Sequence, residues 1–333
     1  MAQILDHNSI DHSKWDGYVE SHQYGTIFHS RQLFGVYEQT QGLEPFALFC
    51  ISDSGNISGM LLAYYHSVSH GVLAPFSRRT VLLNAPITDD DDSLNLLLKA
   101  LRRKAASRSI YFEIRNHYNL NDSLKIYEKL KFTYDQHLNI LVDLSKDEDQ
   151  LLEELGSRRR RQIRKGIKEG FEFRANDESA RMSLYPILQE IYQRAKLPLH
   201  PQIFFESIYE LPSSCYEVLG LFKGNEVVGA VLLLKHKNTV YSLFGGSREE
   251  FFQQRPNDLM FWSALLWAKA EGYSTFDWLG AGHPDKPYGV RDWKKQFGGE
   301  FVNYGRMYYY PNKLLYLIAE KTFSLYRKFL GSK

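Results

Sequence analysis

Between Tyr216 and Gly280 the spacing of apolar and polar positions changes period twice. Three runs rich in β-branched and aromatic residues, 217–222, 227–234 and 239–244, have strand length and are separated by Gly224-Asn225 and Lys237-Asn238. They predict a meander joined by two hairpin turns. From 259 to 270 the spacing becomes helical, with Leu259, Trp262, Leu266 and Ala270 on one stripe, Asp258 near the start and Gly272 just past the end. A short strand over 275–279 completes the order meander, crossover helix, returning strand.

The first half repeats this order. Residues 15–34, with Tyr24, Ile27, Phe28, Leu33, Phe34 and then Tyr37 apolar, predict helical segments broken near Gly25. The stretch FALFCISDSGNISGMLLAYY from Phe46 lies against YEVLGLFKGNEVVGAVLLLK from Tyr216: strand, Gly-Asn turn, then Gly59 or Gly229 leading an apolar strand. The first copy continues with a strand over 68–73, a helix over 94–106 and a strand over 110–114. Two copies of one α+β fold follow from such a repeat. The expected division is a first domain over 1–143, a second over 144–307, and a terminal helix over 308–333 that returns to the first. Alternation over 130–144 predicts a strand ending the first copy.

Ser145 to Glu148 reads as a capping box opening a helix that Gly156 ends. Next comes SRRRRQIRKGIKEG, with seven cations from Arg158 to Lys168, Ser157 as expected N-cap and Gly170 as stop. Helical spacing puts Arg161, Arg164, Lys165 and Lys168 on one face and Ile163 with Ile167 on another. Such a face is either solvated or compensated by phosphate.

Composition narrows the class. The 333 residues are 44% apolar and 14% aromatic, enough for two cores, and exclude a disordered chain. Forty-one Lys and Arg against 39 Asp and Glu leave a net charge of +2, so an anionic partner must be met locally. Cys50 and Cys215, far apart beside apolar runs, read as buried thiols of a reducing compartment. No signal peptide or membrane-spanning run is present in the sequence, which gives a cytoplasmic expectation. No metal-ligand spacing, phosphate-binding Walker loop or nucleophile elbow occurs, and His66, His70 and His117 read as ordinary residues.

The order of elements resembles the N-acetyltransferase-like (GNAT) core. The capped helix plus RRRRQIRKGIKEGFEF resembles the segment joining the halves of FemABX-type proteins, the peptidoglycan-bridge aminoacyltransferases. In YGVRDWKKQFGGEFVNYGRMYY, the residues Gly289-Val290, Trp293, Lys294-Lys295 and Phe297 are similar to that family's Gly-aliphatic, aromatic-Lys-Lys, Phe block. FDWLGAG, from Phe276, resembles its aromatic-Asp-aromatic segment. The resemblance implies two tandem GNAT-like domains without a coiled-coil arm. It implies a transferase moving an aminoacyl or acyl group onto an amine of a peptidoglycan or other cell-envelope precursor, nucleotide- or lipid-linked. Exopolysaccharide acyltransferases share the architecture, so an acyl-CoA-dependent N-acyltransferase is the alternative, with a non-catalytic anion-binding module as the third.

Attack of an amine on an ester or thioester places negative charge on the carbonyl oxygen, which a fixed cation stabilises. The resemblance assigns that role to Lys294, beside Trp293. Asp277, at a strand end before Gly280 and Gly282, is a second candidate catalytic residue, placed to orient the amine. Arg194, Lys295, Arg158, Arg161, Arg164 and Lys165 are expected to bind substrate. Neither copy has the Arg/Gln-x-x-Gly-x-Gly/Ala loop that cradles a pyrophosphate. Coenzyme A in its usual mode is therefore disfavoured, no tightly bound cofactor is expected, and aminoacyl-tRNA, or else acyl-CoA, is the co-substrate. The terminal segment from Pro311 reads as an amphipathic helix that docks on the first domain or lies on a membrane surface.

Overall fold

A computed structural model describes residues 2–67 and 77–331. It forms two compact units, one of residues 1–136 with 304–333 and one of 137–303. Each is an α+β unit with a single mixed sheet.

Strands of the first unit are β1 (Gln3–Asp6), β2 (Leu43–Ile51), β3 (Ile57–Ser67), β4 (Arg78–Leu82), β5 (Ile87–Thr88), β6 (Tyr111–Arg115) and β7 (Thr133–Asp135). The second unit contributes β8 (Leu138–Asp143), β9 (Phe171–Ala175), β10 (Tyr216–Lys223), β11 (Glu226–His236), β12 (Thr239–Ser247), β13 (Thr275–Gly280) and β14 (Glu300–Asn303). The chain then returns as β15 (Arg306–Tyr309). The first sheet runs β1-β2-β3-β4-β6-β15-β7, with β5 on β3, and the second β14-β8-β13-β12-β11-β10-β9. In both, an antiparallel meander feeds a helix whose following strand pairs parallel with the meander's last strand.

Helices of the first unit are α1 (His12–Ser21), α2 (Arg31–Gln39), α3 (Asp91–Ala105) and α4 (Leu124–Lys129). Those of the second are α5 (Glu148–Glu154), α6 (Ser157–Lys168), α7 (Glu178–Arg194), α8 (Gln202–Tyr209), α9 (Pro256–Ala270) and α10 (Gly289–Lys295); α11 (Lys313–Gly331) follows β15. The crossover helices are α3 and α9. Asp90 caps α3 by accepting from Ser93 N, and Asp91 and Asp92 in its first turn face the positive end of the helix dipole. Pro256 opens α9, where its missing N–H costs nothing.

Several expectations change. Residues 130–144 do not make one strand ending the first copy: β7 joins the first sheet and β8 the second. Alternation marks a strand but not the sheet it enters, so the domain edges move from 143 and 307 to 136 and 303. The capping box is Asp147 with Gln150, not Ser145 with Glu148, whereas Ser145 bonds the Asp143 carboxylate. Gly156 and not Ser157 is the N-cap of α6. On α9 the buried positions include Met260, Phe261, Ala264, Leu265 and Ala268, and Ala270 is exposed, because the helix is covered over a wider arc than one stripe. Cys50 is buried and Cys215 half-buried; both are free. The strand expected over 68–73, with His70, lies outside the described residues.

The terminal helix belongs to the first unit. It is β15, not α11, that carries the returning chain into the first sheet, through Met307 and Tyr309 in the core. On α11, Leu314, Leu317 and Ile318 are 69%, 41% and 55% exposed and Leu315 is half-buried, so among the described residues the expected apolar face is packed only in part.

Candidate active site

In the second unit the parallel pair β12 and β13 is hydrogen-bonded only from Thr239 to Tyr241 against Thr275 to Asp277. Beyond this the two strands run on without pairing to each other, so the sheet opens between their C-terminal ends. The other edge of β13 is irregular too: its register with β8 shifts between Asp277 and Gly280, and Leu279 sits at φ +58°. A left-handed backbone is costly for a leucine, and such strain persists only where neighbouring groups enforce it.

Two charged side chains enforce it. The Asp277 carboxylate, buried, accepts from Leu279 N at 2.6 Å. From α10, Lys294 Nζ donates to Trp278 O at 2.7 Å and Gly280 O at 3.1 Å, the carbonyls flanking Leu279. An ammonium has three N–H groups, so two hold the bulge and one remains to donate elsewhere. Burial pushes the Lys294 pKa down to about 8, and the nearby Asp277 offsets this only in part. Tyr241, opposite Asp277 in the parallel register, has its phenol raised by burial and by the same carboxylate.

α10 is held against the core by aromatic packing. Trp293 meets Phe261, Trp278 and Phe297 at centroid distances of 5.1, 5.7 and 4.9 Å. It thus serves as the packed floor from which the next residue, Lys294, reaches β13. Lys295 turns the other way, donating to Gly299 O and lying over Phe301.

The basic helix α6 divides differently from its sequence pattern. Arg158, Arg161, Arg164 and Lys165 are exposed, and Lys165 donates to Gln253 O at 2.8 Å. Ile167 is 59% exposed and does not share a buried face with Ile163. The buried stripe is Arg159, Ile163 and Gly166. A Cβ on Gly166 would lie 3.1 Å from Leu259 Cβ, so glycine lets α6 approach α9 closely. Arg159 escaped the sequence analysis because six other cations surround it. The signal was its place four before Ile163 and seven before Gly166. It is ion-paired with Asp258, stacks on Trp293 and Phe297 at 5.2 and 4.5 Å, and donates to Gln296 Oε1 at 3.2 Å. With Arg158, Arg255 and Asp292 it lines a cavity of about 170 Å³. Arg194, at the end of α7, pairs with Glu249 at 2.8 Å and stacks on Phe252, apart from the Lys294 bulge in its contacts.

Among the described residues no cluster of His, Cys, Asp and Glu has a metal-binding arrangement, and no helix is long and apolar enough to cross a membrane.

Residues 157–295, which hold the bulge, α6 and α10, match the family model described as Acetyltransferase (GNAT) domain. No curated protein matches the chain by sequence. Among solved structures, FemX superposes with a TM-score of 0.71 at 17% identity, over 95% of this chain and 99% of that one. L-PGS from Bacillus licheniformis gives 0.60 at 14%, over 93% and 96%. A tandem GNAT protein from the clavulanic acid biosynthesis pathway gives 0.56 at 9%, over 94% and 99%. The class so defined is the tandem GNAT fold, with residues 157–295 similar to an acetyltransferase domain. Within that class its architecture is FemABX-like, matching FemX along nearly its whole length.

Proposed function

We propose that this protein transfers an aminoacyl or acyl group from a carrier ester or thioester to an amine of a cell-envelope precursor. The observation that carries the reading is the half-buried Lys294 ammonium, fixed at an opened strand pair with one N–H to spare. An acceptor amine attacks the carbonyl carbon, the C–N bond forms, and the electron pair of the C=O becomes the oxyanion that Lys294 stabilises. Collapse breaks the bond to the carrier, and the amine proton leaves to solvent or to the departing group. The Asp277 carboxylate accepts from Leu279 N, so we place it as a positioning residue for the bulge. The exposed Arg158, Arg161, Arg164 and Lys165 offer phosphate contacts to the donor, whereas the contacts of Lys295 and Arg194 lie apart from the Lys294 bulge.

Aminoacyl-tRNA is the donor this reading favours, since neither copy has the usual pyrophosphate loop and α6 presents a cationic face. FemX as a structural neighbour supports an aminoacyl carrier. Acyl-CoA is the second reading, supported by the GNAT family match. The deciding experiment follows label from charged tRNA and from acetyl-CoA to a nucleotide-linked peptide amine. Transfer from tRNA, with binding that falls with salt at a log-log slope of about −0.7 to −0.9 per contact and weakens in Arg161→Glu/Arg164→Glu, is expected. Micromolar acetyl-CoA binding without tRNA binding reverses the choice of donor, and anion binding without turnover on either removes the enzymatic reading.

A further inference from the structure

The first unit ends in a helix whose chemistry the transfer reading does not use. α11 is 19 residues long, and its Tyr316 ring lies 4.5 Å from that of Tyr310 and 5.5 Å from that of Tyr111. Of its other described apolar residues Leu315 and Ala319 are half-buried, while Leu314 and Ile318, one helical turn apart, and Leu317 beside them are turned to solvent. The sequence continues the same period with Leu325 and Phe329. Exposing leucine and isoleucine on one stripe is unfavourable unless something covers it, at about 1.5–3 kcal/mol for each side chain fully buried.

Charge selects the cover. From Lys313 to Lys333 there are five Lys and Arg and one Glu, while the other 312 residues hold 36 Lys and Arg against 38 Asp and Glu. The whole positive excess of the chain is therefore carried on this segment, and the rest is slightly acidic. A second copy of the helix would bring like charges together on an apolar seam. An anionic surface meets both requirements at once.

We propose that α11 lies in the interface of an anionic phospholipid bilayer, with Leu314, Leu317 and Ile318 inserted and Lys313 and Lys321 against the headgroups. The helix lies on the surface and does not cross it, as no described helix has the length and apolarity to span. The inference is independent of the transfer reading, since it concerns adsorption and not turnover.

The test is cosedimentation of the full chain with vesicles of equal parts phosphatidylglycerol and phosphatidylcholine, and with phosphatidylcholine alone. Binding to the anionic vesicles at least about tenfold tighter than to the neutral ones is expected, because each cation at such a surface contributes on the order of 1 kcal/mol. Leu314→Asp/Ile318→Asp should abolish it, and Lys313→Glu/Lys321→Glu should reduce it to the neutral-vesicle level. Both pairs are exposed, so an unchanged melting temperature checks that the fold is intact. Absence of binding to anionic vesicles, or wild-type binding by the Asp variant, overturns the proposal. So does a dimer that the Asp variant splits while vesicles are ignored, which makes a second copy the cover.

Discussion

The two units use the same order of elements and treat the end of their parallel strand pair in opposite ways. In the first, β4 and β6 pair over Arg79–Leu82 and Tyr111–Ile114, and the ends are then stitched together. Asn84 Oδ1 accepts from His117 N at 3.2 Å while its amide donates to Thr26 Oγ1 at 3.0 Å. In the second, β12 and β13 part after three pairs, and a bulge held by Asp277 and Lys294 occupies the end. Their charges, the buried Glu113 and the half-buried Lys294, differ in the same sense. Burial alone would raise the Glu113 carboxyl on β6, but Arg115, Arg306 and Arg79 more than reverse this and bring it to about 2. Lys294 has one partial counter-charge, and burial wins. A charge held by several partners at a closed sheet is a structural device. One left under-compensated at an open sheet is free to respond to a substrate, which is where perturbed pKa values carry functional meaning.

The largest effect should come from removing the under-compensated charge. Lys294→Met keeps the stem and should lower transfer by ~10²-fold or more, the scale of one lost oxyanion donor. Because the protonated form is required, the wild-type rate should fall as pH rises through about 8, and the Met variant's residual rate should lack that limb. Initial rates from pH 6 to 9.5 check both. A rate that climbs through pH 8 would make Lys294 a base instead.

The closed unit should answer in stability and not in rate. Glu113→Gln leaves Arg79, Arg115 and Arg306 around a buried amide and should cost about 2 kcal/mol; fully buried broken pairs cost about 3–5, and these arginines are partly exposed. Glu113 has a folded pKa below its unfolded value. Its stabilisation is therefore present above about pH 4.3 and is lost as pH falls toward 2. Denaturant midpoints at pH 7 and pH 3 should thus differ less in the variant than in the wild type. A midpoint at pH 7 equal to wild type would show that the network holds nothing together.

Much of this contrast could be read before any coordinates. Local chemistry sets the meander turns and the crossover helices: Gly224 takes φ +61°, and Lys237 takes φ +49°. Helical spacing also put Arg161 and Arg164 outside. Lys294 came from a motif, and its partners Trp278 O and Gly280 O are backbone atoms that no motif names. What escaped depends on distant partners. The placement of β8 and β15 is decided by the strands that flank each of them, β14 with β13 and β6 with β7, and the burial of Arg159 by Asp258, some hundred positions away. For α11 the amphipathic pattern was visible, but not whether sheet or solvent receives it.

The smallest effect divides the two groups at the bulge. Asp277→Asn retains an oxygen to accept from Leu279 N, so the bulge should persist, but it removes the one charge that supports the Lys294 proton. Asp277 is a secondary influence beside burial, so the pH limb should move to lower pH by less than one unit, equivalent to under about 1.4 kcal/mol. The rate on the acid side of the limb, where Lys294 is still charged, should stay near that of the wild type. This split between position and height of the profile distinguishes positioning from chemistry. A carboxylate that accepted the amine's proton would lower the plateau itself, to the depth seen with Lys294→Met, and leave the limb where it was. Measuring the full profile of both variants therefore tells whether the open strand pair works with one charged group or two.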